Sequence, residues 1–323
     1  MWITITFCSD MYEGFETTHT EARSMTVQQS VFVVPPVVAV AQHRGLFAAA
    51  GVEVETKLVG SSHEQRRELD EGRADVGITA TDNLFAWNAT GSDIAVIAQI
   101  ETTTDLALTL RPKLLSTDGL DVIRLAVDAP TNGFAIVAYS MMARLGRTKD
   151  QYEVVEVGGV RERFESLIDN TADVTLLAPP LDEIGRDRGM TVAMRIAELV
   201  PSYPGLGIVS TRKVLSGKMD EIARYLRALA AAHRWMQQAA ASEVEQELLA
   251  TGLGQAAVAS ALAAVPQTLA PSGIGIRALA QLRDDLGMIV QGAPEAGDLI
   301  DLRPLQAAGL VPIHNREDGC EPL

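Results

Sequence analysis

Short clusters of Ser, Thr, Asp, Asn and Gly recur just after apolar runs in this chain, and their residue types suit non-covalent capture of a small molecule. In the first half they are Val34-Pro35-Pro36, Gly60-Ser61-Ser62 and Thr79-Ala80-Thr81-Asp82-Asn83. The second half has Asp128-Ala129-Pro130-Thr131-Asn132-Gly133, Gly158-Gly159-Val160-Arg161 and Ala178-Pro179-Pro180. Where such a cluster opens a helix, free backbone N–H groups and the positive helix end suit a carboxylate, a sulfonate or another polar group. Arg161 could pair with an anion through its planar fork, and His63 stands at the matching place in the first half. Asp82 and Asp128 could take a ligand amine, while Phe134, Trp87 and Tyr203 could form an apolar wall. Each residue also has an ordinary reading. Ser, Thr, Asp and Asn cap helices, Arg161 can bridge to Glu165 one turn later, and aromatic residues fill cores. Taken together, the expected contact set is Pro35, Pro36, Ser61, Ser62, His63, Thr79, Thr81, Asp82, Asn83, Thr131, Asn132, Gly133, Gly159, Arg161 and Pro179.

Familiar catalytic signatures are missing. Gly252-Leu253-Gly254 and Gly273-Ile274-Gly275 fit a loose dinucleotide pattern, but neither follows an expected strand. The chain has no GxSxG, Walker loop or HExxH. Its five histidines, at 19, 43, 63, 233 and 314, form no HxxxH pair, and Cys8 and Cys320 have no zinc-site spacing and read as free thiols. No catalytic residue, metal or cofactor is expected.

What must position the clusters is a duplicated unit. Residues 60–76, GSSHEQRRELDEGRADV, and 158–174, GGVRERFESLIDNTADV, align without a gap 98 positions apart. Gly60, Glu64, Leu69, Ala74, Asp75 and Val76 match Gly158, Glu162, Leu167, Ala172, Asp173 and Val174. Each copy runs from strand end through turn and helix into a new strand. Strands are expected at 30–34, 51–60, 75–79 and 94–100, then at 124–128, 152–157 and 174–178, with helices between them. That alternation predicts parallel sheets with right-handed crossovers. Ligands of open parallel sheets bind beyond the carboxyl ends of the strands.

The fold class expected is α/β and two-lobed, each lobe a mostly parallel sheet flanked by helices, with a helical C-terminal part. Residues 1–26 read as disordered or as an extension. Residues 27–107 form lobe 1, 108–205 form lobe 2, 206–310 return to lobe 1 as helices, and 311–323 form a tail. Connections are expected at 101–110 and 198–207. Beyond Ser210, Ile222, Leu226, Leu229, His233 and Met236 recur every three or four residues and mark one buried helical stripe.

The 323 residues are ample for two lobes. Forty-two acidic against 27 basic residues give a formal charge of −15, which disfavours nucleic acid and anionic membrane surfaces as partners. No stretch approaches the ~20 apolar residues of a membrane span. The first 24 residues lack a basic start, and their apolar run ends at Cys8. As written, a cytoplasmic location is expected, with a periplasmic or cell-surface one only if the N-terminus is misassigned.

Four stretches, VVAVAQHRGLFAAAGVEVE (37–55), LDEGRADVGITATDNLFAW (69–87), RLAVDAPTNGFAIV (124–137) and VGGVRERFESLIDNTADVTLLAPP (157–180), carry a resemblance. Over roughly 28–290 the chain resembles the type II substrate-binding proteins of ABC transporters. The branch is that of nitrate-, taurine-, alkanesulfonate- and pyrimidine-precursor-binding members. The resemblance implies a hinged cleft holding a small polar or anionic organic solute, and delivery to an ABC permease. The same fold is similar to cytosolic desulfinases, decarboxylases and pyrimidine synthases. An enzyme of decarboxylase type would use His63, Arg161 or Asp82. The desulfinase cysteine is replaced here by Val33-Val34-Pro35-Pro36, and the Cys- and His-rich iron motif of the synthases is not present.

Overall fold

A computed structural model describes residues 25–116, 118, 122–288 and 291–312. Cys8 and Cys320 lie outside the described residues.

The first unit runs β1 (Thr26–Val31), α1 (Pro36–His43), α2 (Leu46–Ala49), β2 (Glu53–Leu58) and α3 (Ser62–Asp70). It ends with β3 (Val76–Thr79), α4 (Asn83–Ala89) and β4 (Ile94–Gln99). The chain then crosses into β5 (Ala107–Leu110), β6 (Ile123–Val127), α5 (Gly133–Arg144), β7 (Tyr152–Glu156) and α6 (Val160–Ile168). After β8 (Val174–Leu177), α7 (Leu181–Asp187), β9 (Thr191–Arg195) and α8 (Ile196–Leu199) it crosses back into β10 (Gly207–Thr211). The remainder is helical: α9 (Arg212–Gly217), α10 (Met219–Gln238), α11 (Ala241–Ala250), α12 (Gln255–Ala263), α13 (Gly273–Asp285) and α14 (Arg303–Ala307).

Two five-stranded sheets result, ordered β2-β1-β3-β10-β4 and β7-β6-β8-β5-β9. The βαβ units pair in parallel, Val31 beside Leu58 and Ile78 in one sheet and Ala126 beside Val155 and Thr175 in the other. β10 and β5 are the antiparallel members of the mostly parallel sheets that were expected. Each is the strand that follows a crossing, and each runs antiparallel into the sheet it enters, with Gly207 opposite Thr79 and Ala107 opposite Leu177. The segments expected to be connections are thus partly strand.

Local sequence explains the helix starts that border the cleft. Pro36 opens α1, where its missing N–H leaves no hydrogen bond unmade. The Ser61 hydroxyl accepts from the Glu64 N–H at 3.2 Å, and the Asn132 side chain from the Ala135 N–H at 2.8 Å. In α10 the stripe Ile222, Leu226, Leu229, His233 and Met236 is buried as the periodicity predicts, and its apolar members pack with Val27, Val31, Val38 and Ile78. A second core joins the two sheets, running from Leu84 and Phe85 of α4 through Ile136 and Val137 of α5 to Ile276 and Leu279 of α13.

Candidate functional site

Between the sheets, at the carboxyl ends of their strands, lies a cavity of about 460 Å³. The loop after β1 supplies Phe32, Val33, Val34, Pro35 and Pro36, and the end of β3 supplies Ile78, Thr79, Ala80 and Asn83. The other sheet contributes Asp128, Asn132 and Phe134 after β6, Gly159, Val160, Arg161 and Arg163 after β7, and Ala178, Pro179, Pro180 and Leu181 after β8. Glu101, Thr103, Thr104 and Asp105 of the first crossing and Leu206 of the second form the side where the crossings meet. Small residues around α12, among them Ala257, Ser260 and Ala261, close the remaining wall.

Of the expected contacts, Pro35, Pro36, Thr79, Asn83, Asn132, Gly159, Arg161 and Pro179 line this cavity. Ser61, Ser62, His63, Thr81, Asp82, Thr131 and Gly133 are outside its lining, and the structure gives most of them other partners. The two copies of the repeat meet at their glycine turns, where the Gly159 N–H donates to the Gly60 carbonyl at 3.1 Å. The Ser62 N–H, at the start of α3, donates to Asp128 Oδ2 of the opposite sheet at 3.1 Å. An anion does sit at that helix start, but the protein supplies it. Ser61 caps the same helix, and His63 points outward, 65% exposed and 3.9 Å from Glu156. Thr81 is buried against β10, where a Cβ on Gly207 would lie 2.5 Å from its methyl group.

Asp82 is locked behind the cavity. Arg283, on α13, donates from Nε to Asp82 Oδ1 at 2.9 Å and from Nη2 to Oδ2 at 2.5 Å. The same Nη2 reaches the Thr131 carbonyl at 3.0 Å, so one guanidinium ties the start of α4 to the loop before α5. Burial pushes the Asp82 carboxyl up, against the pull of Arg283. Alongside, the Gly133 N–H donates to Asn83 Oδ1 at 2.8 Å, and a Cβ on Gly133 would stand 2.8 Å from that of Asp82. Asp82, Thr131 and Gly133 therefore join the two sheets at a polar seam.

Besides Arg161 and Asp128, charge within the cavity comes from residues that the reading of the sequence passed over. The Glu101 carboxyl accepts from the Thr104 hydroxyl at 3.0 Å and from the Leu206 N–H at 3.4 Å, joining the two crossings. Burial raises its pKa. Asp105 pairs with Arg195 at 2.6 Å. Arg163 is only 4% exposed, and burial lowers its pKa to about 10, so it is a cation at neutral pH. A signal for it existed: Val160, Arg163, Phe164 and Leu167 fall at i, i+3, i+4 and i+7, so the arginine belongs to the inward stripe of α6.

Among the described residues no helix is long and apolar enough to cross a membrane. The fold is that of the type II substrate-binding proteins. A ligand-binding component of an ABC-type import system from Staphylococcus aureus superposes with a TM-score of 0.73 at 12% identity, covering 88% of this chain and 99% of that one. The alkanesulfonate-binding protein of Xanthomonas axonopodis pv. citri, bound to MOPS, gives a TM-score of 0.67 at 16% identity, over 85% and 96%. The periplasmic aliphatic sulphonate binding protein of Escherichia coli gives 0.62 at 12%, over the same shares. That last likeness corrects the expectation of a cytoplasmic protein. The fold is one found in the periplasm, and residues 1–24, on which the expectation rested, lie outside the described residues. No curated protein matches the sequence. The pattern of the family described as NMT1/THI5 like matches residues 36–241, well over half of the chain, and the chain belongs to that family.

Proposed function

We propose that the protein binds a small organic solute in the cavity between its sheets and passes it to a membrane permease of the ABC type. The cavity itself carries this reading: about 460 Å³ falls within the usual 300–1,000 Å³ of small-molecule sites, and both sheets line it. Its walls of Phe, Val, Pro and Ala, broken by a few polar groups, suit an apolar body with one or two polar ends. In this reading residues 27–107 and 206–310 move as one lobe and 108–205 as the other. The hinge is where the crossings touch, through Ile100 N–H to the Leu206 carbonyl at 3.0 Å and Gly205 N–H to the Thr102 carbonyl at 3.3 Å. Pro35, Pro36, Thr79, Asn83, Asn132, Gly159, Arg161 and Pro179 are the contacts carried forward from the sequence. Delivery to a permease is drawn from the Staphylococcus aureus import component of the same fold. Binding is preferred to catalysis because His63 faces away from the cavity and Asp82 is engaged by Arg283, so two of the three residues an enzyme would use are committed elsewhere.

The test is a thermal-shift screen of unfolded-and-refolded, ligand-free protein against carboxylates, sulfonates, pyrimidines and amines. A solute at a hundredfold excess over its dissociation constant should add ~2.7 kcal/mol of stability, a shift of several degrees. A folded protein that no solute stabilises would refute the reading.

A further inference from the structure

The duplication supplies an internal control for one residue of the cavity. Gln65 on α3 and Arg163 on α6 occupy the same place in the two copies, 98 positions apart. In the first copy Gln65 Nε2 donates to the Ser30 carbonyl at 3.0 Å and to the Ile78 carbonyl at 3.1 Å, tying the helix to the ends of β1 and β3. In the second, Arg163 Nη1 donates to the Leu176 carbonyl, the counterpart of Ile78. The Ala126 carbonyl, which stands where Ser30 does, is taken instead by the Thr175 hydroxyl at 2.8 Å. The structural task left to Arg163 is one hydrogen bond, and a neutral glutamine performs a larger one in the other copy.

What the arginine adds is a buried positive charge with donors to spare. Its Nε is buried without a hydrogen-bond partner, and its side chain borders the cavity. The attraction of Asp128 and Glu162 only partly offsets the burial, and neither carboxylate forms a hydrogen bond to it. Asp128 is occupied by the Ser62 N–H and by Asn132 Nδ2, the latter at 2.8 Å. An incompletely paired buried charge is costly, so a group entering the cavity is the natural complement. The Phe134 ring, 5.7 Å from the guanidinium carbon, walls the same end of the cavity.

We infer that Arg163 is the anion receptor of this cavity, and that the solute is an organic acid whose carboxylate or related oxyanion meets its guanidinium while an apolar body lies along Phe134 and the Val33–Pro36 loop. The inference rests on the cavity being a solute site.

The experiment sets aliphatic and aromatic carboxylates and sulfonates, each beside its uncharged amide, against the wild type and Arg163→Gln by titration calorimetry. Glutamine is the residue of the first copy and keeps a donor for Leu176, so the variant should unfold within a few degrees of the wild type. Arg163→Lys, which keeps the charge, is the second variant should Arg163→Gln not fold. The wild type should bind acids and not their amides. Arg163→Gln should bind the same acids about 10- to 100-fold more weakly, as expected for loss of a charged hydrogen bond, with Arg163→Lys in between. Amides binding as well as acids, or acids binding either variant with wild-type affinity, would overturn the inference and leave solute binding standing. If neither acids nor amides bind folded wild-type protein, the inference falls, and the solute reading falls with it only if pyrimidines and amines also fail to stabilise the protein.

Discussion

Replacing Arg283 by Met should be among the most destabilising single changes outside the cavity, because it strands a carboxylate. Asp82 and Arg283 side chains are 2% and 3% exposed, and the guanidinium supplies both strong hydrogen bonds to the carboxylate. Methionine has a similar reach and no charge, so the stem packs much as before while the Asp82 charge loses its partner. Breaking a buried pair from one side costs about 3–5 kcal/mol, against a total stability of order 5–15 kcal/mol for a domain. Loss of the bond to the Thr131 carbonyl belongs to the same change. The assay is urea unfolding at pH 7.5, read as a shift of the midpoint at constant slope. Acid should relieve the variant. Burial already raises the Asp82 pKa, and without Arg283 it rises further above the unfolded value near 3.9. The folded variant then holds a proton that the unfolded chain releases, so its deficit should shrink as the pH is lowered from 7.5 to 5. A cost under ~1 kcal/mol, or a deficit that does not change with pH, would refute a buried ionic clamp at this position.

Gly133→Ala should act on the same seam from the other side. Its new methyl would stand 2.8 Å from the Asp82 Cβ, and overpacking of this kind costs about 1–3 kcal/mol. Because the two changes share Asp82, Gly133→Ala combined with Arg283→Met should fall short of the sum, and a simple sum in chemical denaturation would contradict the contact. His233 gives a pH window. Both its ring nitrogens are buried without partners, and burial lowers its pKa from 6.5 to about 4. The unfolded chain therefore takes up the proton first, and this residue should remove about 3 kcal/mol of stability as the pH falls from 6.5 to 4. His233→Leu should flatten that part of the profile without loss at pH 7.5; an unchanged acid slope would show that the ring is not held neutral.

How far the sequence reached depended on whether a feature was local. The βαβ units were legible because an apolar run, a glycine turn and a helix recur in register within each copy. β5 and β10 were not: ALTL and GIVST are short apolar runs at crossings, and only the sheet that receives them fixes their antiparallel direction. At the site, Pro35, Pro36, Thr79, Asn132 and Pro179 followed from the rule that loops at strand carboxyl ends face the cleft. Ser62 followed from the same rule and yet meets Asp128, 66 residues on in the opposite lobe. Asp82 was read as a cap or a ligand partner because its counter-ion is 201 residues away. Arg161 is marked in the sequence by its match with His63 at the helix start, whereas helical phase, not distance from the turn, buries Arg163.

The seam also bears on how tightly the lobes are held together. Hydrogen bonds that span it include Gly159 N–H to the Gly60 carbonyl, Gly133 N–H to Asn83, Ser62 N–H to the Asp128 carboxylate and Arg283 Nη2 to the Thr131 carbonyl. If the lobes part, water replaces each partner, so each neutral bond is worth only about 0.5–1.5 kcal/mol and each bond with a charged partner about 1.5–3 kcal/mol. In the proposed solute-binding reading, these bonds and the apolar core that joins the two sheets favour the closed arrangement. A solute can shift such an equilibrium only by its differential affinity for the two states, and a closed cavity with groups on both lobes provides that difference. Asp128 is central here. By occupying the α3 start it removes one helix terminus from competition for the solute and leaves the cation on α6 as the strongest positive feature of the cavity. The two copies have thus diverged into unequal partners: the first, with its neutral Gln65 and its protein-filled helix start, secures the seam, and the second presents Arg163 to whatever enters.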